Sequence, residues 1–131
     1  MKKKILLFST LALLSFCAVN AQGGGMQRMT VPERVKMVMD KLTDFKLDKD
    51  KTALTDSTFT DYYRSGQKMR EEAMAGGGQP DRDAMREKMK KFADERDERL
   101  KKIFTDEQYK KWKDEIEPTT RPQRPAGGGT N

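Results

Sequence analysis

The chain of 131 residues carries 27 Lys or Arg against 21 Asp or Glu, a single Cys and no His. Without His there is no Ser-His-Asp arrangement and no His-based zinc site, and one Cys cannot close a disulfide within the chain. With 37% of residues charged and 34% hydrophobic, one small domain is the upper bound. The deep dry pocket of an enzyme is not expected, nor is any catalytic residue, cofactor or metal site.

Residues 1–21 read as a secretory signal peptide. Lys2-Lys3-Lys4 is a basic opening, Ile5 to Leu14 is an apolar run too short to span a bilayer, and Val19-Asn20-Ala21 is an A-x-A-like site. Cleavage after Ala21 leaves 110 residues with 24 basic and 21 acidic groups, because three Lys leave with the leader. That near balance argues against a nucleic-acid binder, which shows a basic excess on one face. Cys17 leaves as well. Its rival role as a lipid anchor is disfavoured by Phe16, where a small residue is the norm. The expectation is a periplasmic protein with no integral membrane segment after cleavage.

Residues 22–29, with Gly23-Gly24-Gly25, form a flexible lead-in to a helical domain over 30–117. Thr30-Val31-Pro32-Glu33 is a capping box with Pro in the first turn. Val31, Val35, Val38, Leu42 and Phe45 then recur at helical spacing, so the first helix covers about 30 to 45. Asp48 is the expected N-cap of a second helix, whose face carries Leu54, Thr55, Thr58, Tyr62, Gly66, Met69 and Ala73 up to the glycines at 76–78. Its threonines are poor helix formers, and a break near 55 to 60 is compatible with them. After Pro80, Asp81 or Asp83 caps a third helix with Met85, Met89, Phe92, Arg96, Arg99/Leu100 and Ile103 along one side. Glu87–Lys91 and Glu98–Lys102 are candidate ion pairs on its exposed side. Thr105 to Gln108 is a further capping box, opening a short helix with Tyr109, Trp112 and Ile116 facing one way and Pro118 as its stop. Residues 118–131, rich in Pro and Gly, read as a disordered tail. The fold class is therefore all-α, with four amphipathic helices.

Two helix starts share a pattern. Phe104-Thr105-Asp106-Glu107-Gln108 has an apolar residue, a cap and a reciprocating Gln, and Leu47-Asp48-Lys49-Asp50-Lys51 repeats the scheme 57 residues earlier. In an exported, His-free, Met-bearing chain of this size, the pattern resembles the Spy/CpxP family of small periplasmic proteins, marked by a repeated LTxxQ motif. The resemblance spans about residues 30 to 117. In the second copy Phe104 stands for Leu, while Thr105 and Gln108 match. In the first, Leu47 matches, Asp48 stands for Thr, and Lys51 stands for Gln and cannot accept as Gln does. The resemblance implies bent helical hairpins in an antiparallel, cradle-like homodimer that binds unfolded proteins without ATP, with one branch restraining an envelope-stress sensor kinase. It implies no catalytic residues.

The residues give a compatible mechanism. Eight Met remain after the leader, and a flexible, polarizable thioether lets a surface repack around different partners. The candidate client-binding residues are Met37, Met69, Met74, Met85, Met89, Phe92 and Arg96. Met37 and Met74 fall off the apolar stripes of their helices. Arg96 lies mid-stripe, where its stem packs and its head snorkels or pairs with an acid. The function expected is an exported holdase-type chaperone for unfolded or partly folded envelope proteins under stress. The alternative is a regulatory protein with one dedicated partner, such as a sensor-kinase domain.

Overall fold

The computed structural model describes residues 29–121. The expected leader with Cys17 and its cleavage site, the lead-in up to residue 28, and the tail from residue 122 lie outside the described residues. Within them the chain is all-helical, with four helices and no strand. These are α1 (Val31–Lys41), α2 (Lys49–Ala75), α3 (Arg82–Ile103), and a C-terminal helix that begins as α4 (Asp106–Lys111). That last helix runs on without a break through a π-helical turn, Trp112–Ile116, into α5 (Glu117–Thr120). No helix among the described residues is long and apolar enough to cross a membrane.

Side-chain caps set the starts. Thr30 accepts from the Glu33 amide while the Glu33 carboxylate accepts from the Thr30 amide, the reciprocal arrangement read from the sequence. Asp48 accepts from the Lys51 amide at 2.8 Å, and Asp81 caps α3 through the amides of Asp83 and Ala84. The stripe of α1 does not stay helical to Phe45. The α-helix ends at Lys41, a 3₁₀ turn spans Thr43–Phe45, and Lys46 takes a left-handed φ of 49° that turns the chain into α2. This tight turn still drives Leu42 and Phe45 into the core.

α2 is continuous in spite of its threonines. Thr52, Thr55 and Thr58 each donate their hydroxyl to the carbonyl four residues back, at 2.6–2.7 Å, so the polar groups are satisfied within the helix. Thr55 and Thr58 are then free to act as small buried packing residues, fully covered between helices. Leu54, read as part of that face, is instead 52% exposed. It lies about 100° around the helix from Thr55, outside the covered arc. Phe59, absent from the stripe read in the sequence, is fully buried. α2 packs on both α1 and α3, which widens its buried arc beyond one stripe.

Pro118 does not stop the last helix, which continues to Thr120. An interior proline lacks an N–H and crowds the carbonyl four residues before it. Here the π turn just upstream, closed by the Glu117 amide on the Trp112 carbonyl, loosens that stretch of helix. On α3, neither Glu87–Lys91 nor Glu98–Lys102 closes. Lys90–Asp94 at 2.7 Å and Arg86–Asp83 at 3.7 Å form instead.

The core sits at one end of the molecule, where Val35, Val38, Leu42, Phe45, Phe59, Leu100, Ile103, Phe104, Trp112 and Ile116 form one cluster. Phe59 meets Trp112 edge-on at 5.0 Å between ring centroids, and Phe45 meets Phe104 at 5.2 Å. From residue 67 to residue 95, by contrast, Met69 is the one buried side chain among the described residues. That stretch of α2 and α3 forms a two-helix arm.

Candidate functional site

The two helix starts that share a sequence pattern meet in space. Thr105 and Gln108 make the reciprocal box, with the Thr105 amide donating to Gln108 Oε1 at 2.9 Å and the Gln108 amide donating to Thr105 Oγ1 at 3.2 Å. With Oε1 so engaged, Gln108 Nε2 donates to the Phe45 carbonyl at 3.0 Å. One side chain therefore caps its own helix and ties it to the turn before Leu47 and Asp48. Leu47 packs half-buried on the core, and Phe104 is buried beside Phe45. In the first copy Asp48 caps alone, because Lys51 supplies only its amide. Phe104 and Gln108 thus tie the start of α4 to the turn between α1 and α2, while Asp48 and Thr105 cap their own helices.

A second constellation joins α3 to the C-terminal helix. Arg96, 4% exposed, donates to Asp97 Oδ1 at 2.6 Å and to Glu117 Oε1 at 2.7 Å. Lys113 bridges the same two acids and Arg121 reaches Glu117 at 3.1 Å. The Arg96 guanidinium also lies over the rings of Tyr62 at 4.6 Å and Trp112 at 5.4 Å. Burial pushes the Glu117 carboxyl up, but hydrogen bonds from Lys113 and Arg96, with the charge of Arg96, outweigh it and hold the group at about 2. Burial likewise opposes the charge on Arg96, and Asp97 and Glu117 more than restore it. So Arg96 is paired to acids inside the chain, as its mid-stripe position allows. As placed, its charge is met by acids of the chain, and it reaches the surface only as part of the walls of two hollows.

Two adjoining hollows open where α1 meets α2. A cavity of about 120 Å³ is lined by Arg34, Met37, Tyr62, Tyr63, Gly66, Arg70, Met89, Arg96, Glu117, Thr120 and Arg121. Gly66 makes room for it: a Cβ there would stand 3.3 Å from the Met89 sulfur. Next to the cavity runs a wider groove of about 750 Å³, with Met29, Val31, Pro32 and Met74 as its apolar wall and Arg34, Arg64, Gln67, Arg70 and Glu71 as its polar wall. Arg34, Tyr63 and Arg70 border both. Burial and the nearby charge of Arg70 both lower the Arg34 guanidinium from its ordinary value, and its head lies 5.8 Å from the Tyr63 ring. Burial pushes the Tyr63 phenol up to about 12, so it stays neutral.

No protein-family model, curated protein or solved structure matches the chain.

The candidate client-binding residues are spread over several hollows. Met37 and Met89 line the small cavity, and Met74, 79% exposed, stands on the wide groove. Met85 and Met69 line a separate shallow hollow near the α2–α3 turn, with Met69 only 6% exposed. Phe92 lies half-buried beside Arg96 and Arg99 on the opposite side of α2, where Arg99 pairs with Asp61 at 2.7 Å. The residues that sequence reasoning passed over are Arg34, Arg64, Arg70 and Tyr63, with Tyr62 read only as part of the α2 face. The run Tyr62-Tyr63-Arg64 on a helix face was the available signal. Among the described residues no group of three or more His, Cys, Asp or Glu is placed to hold a metal ion.

Proposed function

We propose that the chain is a Spy/CpxP-like, exported, ATP-independent holdase that binds unfolded envelope proteins under stress and works as a homodimer. The observation that supports this most is the groove on the α1–α2 side. It is open and about 750 Å³ in size, and it sets Met29, Val31, Pro32 and the exposed Met74 beside arginines. Flexible thioethers adapt to unlike side chains, and apolar contact without a shape-specific pocket suits transient capture of many sequences. Guanidinium groups at the rim attract acidic segments from a distance and speed encounter. A second copy covers part of the exposed apolar surface, including Leu54, which is 52% exposed on the first half of α2.

The test is light scattering from a chemically denatured model protein diluted into buffer. Equimolar chain suppresses the aggregation without nucleotide. Unchanged scattering at a severalfold excess overturns the proposal. Capture of a single stoichiometric partner from an envelope fraction, in place of a broad weak set, redirects it to dedicated regulation.

A further inference from the structure

The methionines are divided unevenly between the two ends of the molecule. The core cluster is built from Val, Leu, Ile, Phe and Trp and holds no Met, with Met37 and Met39 only packed against its edge. Along the arm, the contact between α2 and α3 leans on thioethers instead. Met89 lies on Gly66, where a Cβ would stand 3.3 Å from its sulfur and 3.5 Å from its methyl carbon. Met85 shares a hollow with Met69 and Ala73. A thioether is open to two-electron oxidation, to which the aliphatic side chains of the core are inert.

Access sorts the arm's methionines into three kinds. Met74 is exposed on the groove wall, where it holds no helix to another, and Met69 is buried. Met85 and Met89 are half-buried, and each lines a hollow, of about 260 and 120 Å³ respectively, that admits a solute little larger than water. These two sulfurs are both reachable and part of the helix contact.

A hydroperoxide supplies the oxygen. The thioether sulfur attacks one peroxide oxygen, the S–O bond forms as the O–O bond breaks, and the departing hydroxide takes up the remaining proton and leaves as water. Sulfur loses the two electrons that the peroxide gains. The product is a polar and bulkier sulfoxide. Gly66 is buried, and the backbone it presents to Met89 has its amides bonded along the helix. The new oxygen is therefore hydrated only when the side chain leaves its seat. With Met69 as the one buried side chain from residue 67 to residue 95, the arm has little else to hold it closed.

We infer that Met85 and Met89 form a peroxide-modification site, and that their conversion to sulfoxides parts α2 from α3 along the arm while the core end stays folded. This goes beyond the holdase reading and stands without it.

The full chain, treated with dilute hydrogen peroxide and then quenched, is mapped by mass spectrometry of its peptides and by amide hydrogen exchange. Met74, Met85 and Met89 each gain one oxygen, with Met69 lagging behind. Amides in 67–75 and 82–95 then exchange roughly tenfold faster, and those around Phe59, Leu100 and Trp112 are unchanged. Methionine sulfoxide reductase with a thiol reductant restores the protection. The paired variant Met85→Leu/Met89→Leu keeps the arm closed after peroxide, since Leu fills much the same space and carries no sulfur. Met74→Leu leaves the loosening in place, as does Met37→Leu/Met39→Leu. Sulfoxide at both sites with unchanged exchange in the arm overturns the inference, as does loosening that persists in the paired variant or reaches the core end equally. Oxidation of Met74 alone also overturns it, because the hollows then shield both sulfurs.

Discussion

α2 and α3 lie side by side along most of their length, yet their two halves are held by different chemistry. At the core end, α1 and the C-terminal helix close over them, and Phe59, Leu100 and Trp112 are fully buried. Along the arm, the contact is built from Met69, Ala73, Met85, Met89 and Phe92, and of these Met69 alone is buried. The same helical geometry thus supports a packed domain at one end and an adaptable pair at the other. On the proposed holdase reading, the first half supplies a fixed frame and the second a surface that yields.

The sharpest way to break this contrast is to truncate one large side chain in each half. Phe59→Ala is expected to cost about 3–5 kcal/mol by leaving a void beside Trp112. Met85→Ala in the arm should cost about 1 kcal/mol or less, since its site is already half open to solvent. Urea titration followed by Trp112 fluorescence and helical circular dichroism measures both. Equal losses erase the distinction between frame and arm.

The charged cluster that joins α3 to the C-terminal helix gives an intermediate effect with a defined pH window. Glu117 titrates at about 2 in the fold against an ordinary 4.5, so the stability it lends is complete above about 4.5 and drains away as pH falls toward 2. The expected loss is on the order of 2–3 kcal/mol. Glu117→Gln should lower stability at neutral pH and flatten this acid limb, and urea midpoints at stepped pH check it. An unchanged acid limb in that variant places the titrating group elsewhere.

The smallest change sharpens the picture at the border between the halves. Gly66→Ala removes the flexibility cost of a mid-helix glycine, and the obstacle is the movable end of the Met89 side chain. A gain of about 0.5 kcal/mol is expected. A rise in Tm of a few degrees tests it. The same substitution should shrink the cavity that Gly66 lines.

Much of the frame was legible because its signals are local. Thr30, Asp48, Asp81 and Thr105 announce helix starts through side chains that bond amides two or three residues on, and these contacts depend on nothing far away. What escaped were features set by distant partners. Phe59 is buried because α2 is covered from two sides, which one stripe cannot reveal. Arg96 is paired with Glu117, 21 residues along the chain, and Gln108 with a carbonyl 63 residues away. The arginines that border the cavity and the groove likewise come from two helices, Arg34 from α1 and Arg70 from α2, and spacing within either helix carries no trace of the other.

The wide turn at Trp112–Ile116 has a consequence for how the last helix can vary. A π turn holds one residue more than regular winding needs, so it offsets everything after it by about 100° around the axis. That offset aims Glu117 at Arg96 and carries Thr120 inward. Removing one residue from this turn would leave the helix intact while swinging its final acid away from the guanidinium it neutralises. In this molecule a local surplus of one amino acid works as an alignment key.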